Sequence, residues 1–166
     1  MRLFLIRHAH AVDAAEDPAR PLSARGRNQV RDLAAFLKSN RAFACTEVWH
    51  SPLDRSRETA ALLVKGLRLR ARLVEIGGLE GEDDPAIVAA RLPRRRTAVA
   101  LVGHEPHLSA LASLLVTGAA HPPHFILKKC AALALERDAS HWLVRWQVSP
   151  EIIGSFDPYM PPRSSC

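Results

Sequence analysis

Residues 2–8, Arg-Leu-Phe-Leu-Ile-Arg-His, decide how the rest of the sequence folds. The apolar run from Leu3 to Ile6 is typical of a strand that is buried on both faces, as in a parallel sheet covered by helices. This run ends abruptly in Arg7-His8. The strand therefore carries a guanidinium and an imidazole to its carboxyl end, the edge where open α/β sheets bind ligands. An Arg-His pair after a strand is also an ordinary surface feature, so its meaning depends on the other strand ends.

A second short strand, Glu47-Val-Trp-His50, precedes a predicted helix start. Ser51 fits the N-cap of that helix and Pro52 fits its first position, since Ser and Pro are favoured there. Arg55 is then expected in the first turns, where backbone N–H groups and the helix dipole also favour an anion. This strand end adds a second guanidinium to the same edge of the sheet.

A third strand end follows the buried run 97–102 and reads Gly103-His104-Glu105-Pro106. An apolar helical stretch comes next, from residue 107 to residue 116. The three strand ends together present two guanidiniums and two imidazoles, on Arg7, Arg55, His8 and His104. Two guanidiniums can hold a phosphoryl group through bidentate hydrogen bonds, and two imidazoles can supply a nucleophile and a proton donor.

Strand and helix signals alternate along most of the chain. We predict strands at 2–7, 46–50, 67–74, 97–102, 129–136 and 142–148, and helices at 23–38, 53–65, 84–92 and 106–117. The last two strands are joined by a short polar turn and form a hairpin. We expect an α/β fold, a three-layer α/β/α sandwich in which a mostly parallel central sheet contains one antiparallel strand from the hairpin.

Four sequence blocks resemble the histidine phosphatase (phosphoglycerate-mutase-like) superfamily, in the right order and across nearly the whole chain. In chain order the blocks are Leu5–Ala9, Asp17–Gly26, Ser51–Thr59 and Val102–Pro106. A later segment, Phe125-Ile-Leu-Lys-Lys129, is similar to the small SixA-type phosphohistidine phosphatases of that superfamily. Ala9 stands where many members have Gly, and both residues are small.

The resemblance implies a phosphatase that works through a phosphorylated His8, with Arg7, Arg55 and His104 around the phosphate. It also implies Arg20 as a further substrate contact. The wider superfamily commonly uses a carboxylate between the third and fourth blocks as general acid. Within the acidic segment 79–84, Glu80 is preferred over Glu82 for this role, because Leu79 can anchor it near the sheet edge. The SixA-type branch is not expected to depend on such an acid.

The expected substrate is a phosphorylated protein, with its phosphate on a histidine, or a small phosphate ester. No cofactor and no metal ion is expected. Two hypotheses from other functional classes stay open, a metal-dependent hydrolase and a phosphate-binding module. His8-Ala-His10 has the spacing of a metal-dependent hydrolase, because alternate residues of an extended segment face the same way. The chain is also compatible with a non-catalytic phosphate-binding module, although its two imidazoles argue for catalysis.

Length and composition fit a single domain over residues 1–166, with an irregular tail at 150–166. The net charge of +6 raises the possibility of nucleic-acid binding, but aromatic residues make up only 5% of the chain and do not alternate with basic ones.

The Arg94–Arg96 cluster fits a solvated loop or a docking patch for an acidic protein. No apolar run reaches the ~20 residues of a membrane span. Three unpatterned cysteines suggest a reducing cytoplasm, and we expect a monomer.

Overall fold

The computed structural model describes residues 1–92 and 97–154. The strands are β1 (Arg2–Arg7), β2 (Glu47–His50), β3 (Arg72–Glu75), β4 (Val99–Gly103), β5 (Ala132–Asp138) and β6 (His141–Val148). The helices are α1 (Ala24–Ser39), α2 (Asp54–Leu67), α3 (Pro85–Arg91), α4 (His107–Thr117) and α5 (Pro150–Ile153). Within the described ranges, no helix combines the length and the apolarity that a membrane span requires.

The strands form one sheet in the order β3-β2-β4-β1-β5-β6. The first four strands are parallel to one another, with Arg7 of β1 opposite Gly103 of β4. β5 runs antiparallel to β1, and β6 runs antiparallel to β5. One strand of the six therefore opposes the others, which confirms the predicted mostly parallel sheet with a single antiparallel strand.

Alternate residues of β1 enter two separate apolar cores, one on each face of the sheet. Phe4 and Ile6 pack with residues of α1, α2 and α5, whereas Leu3 and Leu5 pack with residues of α3 and α4. All four side chains are essentially inaccessible to solvent. This burial on both faces explains the continuous apolar run and confirms the three-layer arrangement.

The segment that follows β1 is fixed by both helices of one layer. Gly26 of α1 lies so close to it that an added Cβ would stand 2.0 Å from the carbonyl oxygen of His10. From α2, Oγ1 of Thr59 accepts a hydrogen bond of 3.1 Å from the backbone N–H of Ala9. The backbone after Arg7 is thus held from two sides, as a precisely aimed side chain at His8 requires.

Two predicted elements differ from the observed ones. The strand predicted at 67–74 is observed only at Arg72–Glu75, because Leu67 continues the buried stripe of α2 and that helix ends at Arg68, whose φ is +53°. The tail predicted as irregular from Pro150 begins with the short helix α5, which buries Ile153. The remaining tail from 155 and the Arg94–Arg96 cluster lie outside the described residues.

Candidate active site

The parallel pairing of β1 with β4 brings two histidines together at the carboxyl edge of the sheet. His8 follows β1, and its backbone N–H donates to the carbonyl oxygen of Gly103, 3.0 Å away. His104 follows β4 directly. The two imidazole rings lie 4.9 Å apart between centroids, with their planes inclined by 47°. Both side chains are buried.

A backbone contact sets the tautomer of His8. Its Nδ1 lies 2.7 Å from the carbonyl oxygen of Ala9. A carbonyl oxygen can only accept a hydrogen bond, so Nδ1 carries the proton and Nε2 keeps its lone pair. Burial lowers the pKa of His8 from 6.5 to about 3, and repulsion from His104, Arg55 and Arg7 acts in the same direction. The bond to Ala9 opposes this shift but does not reverse it. His8 is therefore a neutral imidazole with Nε2 available.

Ser51 holds His104. Its hydroxyl oxygen lies 2.7 Å from Nε2 of His104, and both side chains are buried. Burial and repulsion from Arg55 and Arg7 lower the pKa of His104 to about 4. The predicted role of Ser51 as N-cap is wrong, because α2 begins at Asp54 with Leu53 at the cap position. The available signal for the observed role was the position of Ser51, directly after β2 at the edge where His104 also lies.

The guanidinium of Arg7 is oriented by one hydrogen bond, and its Nε has no partner in the described structure. One terminal nitrogen donates to the carbonyl oxygen of Leu127 at 2.9 Å. Its Nε is buried and, among the described residues, has no hydrogen-bond acceptor. A buried unpaired donor costs free energy, and a bound anion would remove that cost.

The other predicted residues, Arg55, Arg20 and Glu80, are linked to this site by their charges. Arg55 lies in the first turn of α2, and its charge acts on both imidazoles. Burial and repulsion from Arg20 lower the pKa of Arg55, while attraction to Glu80 opposes the shift. The charges of Arg20 and Glu80 thus both act on Arg55. Glu80 itself is exposed, next to a fully buried Leu79.

Lys129 belongs to this group of charges and was not predicted as a site residue. It is half-buried, and its pKa is lowered by burial and by repulsion from four arginines: Arg7, Arg20, Arg25 and Arg55. The signal for it was present in the late segment that ends in Lys128-Lys129. No spacing rule, however, distinguishes a site lysine there from a solvated one.

The spacing of His8 and His10 does not produce a metal site in this arrangement. Within residues 1–92 and 97–154, no group of three or more His, Cys, Asp or Glu side chains is placed to hold a metal ion. Burial also raises the pKa of the Cys130 thiol to about 12, so this thiol is not a nucleophile.

Comparison with known proteins agrees with the observed geometry. Residues 3–92 match the family model of the histidine phosphatase superfamily, branch 1. Phosphohistidine phosphatase SixA of Escherichia coli K12 is 28% identical over 155 residues, covering 90% of this chain and 94% of SixA. A structure of SixA complexed with tungstate gives a TM-score of 0.81 at 26% identity and covers 92% of this chain and 99% of that one. The α-ribazole phosphatase of Shigella flexneri shares the fold, with a TM-score of 0.74 at 21% identity over 90% of this chain and 97% of its own.

The depressed pKa of His8 makes stability depend on pH. Below the ordinary pKa of 6.5, His8 is protonated in the unfolded chain but stays neutral in the native chain. The free energy of unfolding therefore falls as the pH falls towards 3. Between pH 7 and pH 5 this one group removes about 2 kcal/mol. We expect His8→Asn, measured by urea unfolding at both pH values, to lose correspondingly less stability on acidification than the wild type. His141→Asn, at the exposed first residue of β6, is the control and should match the wild type. Equal acid losses in all three proteins would contradict the assignment of a neutral buried His8.

Proposed function

The chain belongs to the histidine phosphatase superfamily, branch 1, and we propose that it is a phosphohistidine phosphatase working through a phosphorylated His8. The proposal rests on the protonation state of His8. Its imidazole is neutral, with the proton on Nδ1 and with Nε2 unprotonated. The charges of two guanidiniums, on Arg55 and Arg7, and of a second imidazole, on His104, act on this ring. An unprotonated nitrogen among cations suits attack on an anionic phosphoryl group.

In the first step Nε2 of His8 attacks the phosphorus atom in line with the leaving group. The new N–P bond forms as the substrate's own bond to phosphorus breaks, and the leaving imidazole departs. Arg7 and Arg55 neutralise charge on the equatorial oxygens, which is where phosphoryl transfer gains most of its stabilisation. The guanidiniums thus fill the electrostatic role that a metal ion has in other phosphatases.

In the second step water attacks the phosphohistidine and releases inorganic phosphate. The N–P bond breaks, and His8 returns to its neutral form with the proton still on Nδ1. A bound phosphoryl dianion raises the proton affinity of His104, which lies beside it and is held by Ser51. His104 can therefore donate a hydrogen bond to the phosphoryl group in both steps.

The leaving group favours phosphohistidine over an ester. An imidazole has a pKa near ~6.5 and departs with little help. An alkoxide resembles hydroxide, whose parent water has a pKa near ~15.7, and needs a proton in the transition state. Glu80 is exposed, so this carboxylate is not buried against the leaving group. The similarity to SixA over 90% of the chain points in the same direction.

A small-molecule phosphomonoesterase is the second candidate, because Glu80 does lie within electrostatic reach of Arg55. The fold is shared with an α-ribazole phosphatase and does not separate the two substrates. We further propose that the protein acts in the cytoplasm on a phosphorylated signalling protein, since free Cys45 and Cys130 suit a reducing compartment.

The nucleophile can be identified by trapping. Wild-type protein quenched early during turnover of a ³²P-labelled phosphohistidine peptide should carry label that acid removes and alkali preserves, as expected for an N–P bond. His8→Ala should carry none and lose turnover while retaining its circular dichroism spectrum, and His141→Ala should behave as wild type. Label that survives acid, or clear turnover by His8→Ala, would refute the mechanism.

The leaving group can be identified through Glu80. If phosphohistidine is the substrate, Glu80→Gln should change its turnover by less than about tenfold, since a general acid contributes roughly 10²–10⁴-fold only where one is needed. Hydrolysis of an alkyl phosphate by the same variant can fall much further. Glu82→Gln is the matched control, with another exposed carboxylate of the same loop. A large and equal loss on both substrates in Glu80→Gln alone would contradict the proposed leaving group.

A further inference from the structure

The catalytic centre holds more positive charge than one phosphoryl group can neutralise. A phosphoryl group carries about −1.5 to −2 at neutral pH. Four arginines, Arg7, Arg20, Arg25 and Arg55, repel Lys129. Glu80 offsets one of these charges at Arg55. Glu105 acts on Arg7 in the same way, so bound phosphate still leaves a net excess of positive charge among these groups. Two of these cations, Arg25 and Lys129, line one cleft.

This cleft lies between α1 and the segment before β5. It has a volume of about 380 Å³ and is lined by Arg25, Lys129, His10 and Gln29, among others. A second cleft of about 580 Å³ shares His10 and Lys129 and extends to Arg20. Lys129 precedes Cys130, whose backbone N–H donates to the carbonyl oxygens of both Arg7 and His8. The cleft therefore begins one residue away from the catalytic strand end.

Two of the three cations that line this cleft, Arg25 and Lys129, have no carboxylate of their own. Lys128 pairs with Glu151 at 2.9 Å, and Glu151 is the one acidic side chain that lines the smaller cleft in the described part of the chain. Among the same residues, neither Arg25 nor Lys129 has a carboxylate oxygen within 4.0 Å. Both charges act on the ring of His10, whose Nδ1 is engaged by Ser23. Arg25 and Lys129 thus converge on one place without a neutralising partner.

We propose that Arg25 and Lys129 form a second anion subsite, which binds a carboxylate that the substrate carries beside its phosphoryl group. This inference rests on the proposed phosphatase function and narrows its substrate class. On a phosphorylated protein the carboxylate belongs to an Asp or Glu near the phosphohistidine. On a small molecule it belongs to the phosphate ester itself. In either case the subsite discriminates by charge, which sets the affinity and not the chemical step.

The subsite can be tested by binding, without turnover. In a His8→Ala background, calorimetry compares 3-phosphoglycerate with glycerol 3-phosphate, which replaces the carboxylate by a hydroxymethyl group. Lys129→Met should weaken binding of 3-phosphoglycerate by about fivefold or more, as expected for a partly exposed charge pair. It should weaken binding of glycerol 3-phosphate clearly less, by the loss of one cation that acts on the phosphate-binding arginines. Lys129→Arg should restore the difference, and Lys65→Met, on the exposed face of α2, should have no effect.

Turnover distinguishes the two sources of the carboxylate. Two phosphohistidine peptides that differ by Glu or Gln beside the phosphohistidine should show KM values that diverge in the wild type and converge in Lys129→Met. If neither peptide is hydrolysed, the proposed function fails while the binding comparison still decides the subsite. Equal weakening of 3-phosphoglycerate and glycerol 3-phosphate would place Lys129 on the phosphoryl group and overturn the proposal. No weakening of either ligand would also overturn it.

Discussion

The site depends on the parallel pairing of β1 with β4. In this register Arg7 lies opposite Gly103, so that the residues which follow, His8 and His104, leave the sheet side by side. A slip of one residue would turn the β1 side chains to the opposite faces of the sheet and separate the two rings. The alternate burial of Leu3 and Phe4 in two apolar cores opposes such a slip. The packing of the sheet and the geometry of the site are thus specified by the same residues.

The electrostatics of the site lower the stability of the folded protein. Two buried imidazoles remain neutral because burial and nearby guanidiniums oppose their protonation, and Nε of Arg7 is buried without an acceptor in the described structure. Each of these features lowers the free energy of unfolding, and binding of an anion raises it again. This balance is typical of functional sites, where polar groups are prepared for a ligand and not for one another.

Much of the fold and of the site could be predicted from the sequence, and the reasons are local. Apolar runs that end in charged residues mark strand ends, and parallel strand ends meet at one edge, so Arg7, His8, Arg55 and His104 could be grouped before their distances were known. Ser51 was misassigned because its local signal, Ser before Pro, is that of a helix cap, whereas its partner is 53 residues away. Lys129 was missed for a similar reason, since its effect depends on charges from other segments and on none of its neighbours in sequence.

The central claim is that the fold holds His8 neutral, with its proton on Nδ1 and its lone pair on Nε2. The most direct test is ¹⁵N NMR of the His8 side chain, recorded on the intact chain as the pH is lowered. The account predicts an Nδ1–H tautomer at neutral pH and no protonation down to at least about pH 5, because the pKa lies near 3. Titration near the ordinary value of about 6.5, or a proton found on Nε2, would contradict it.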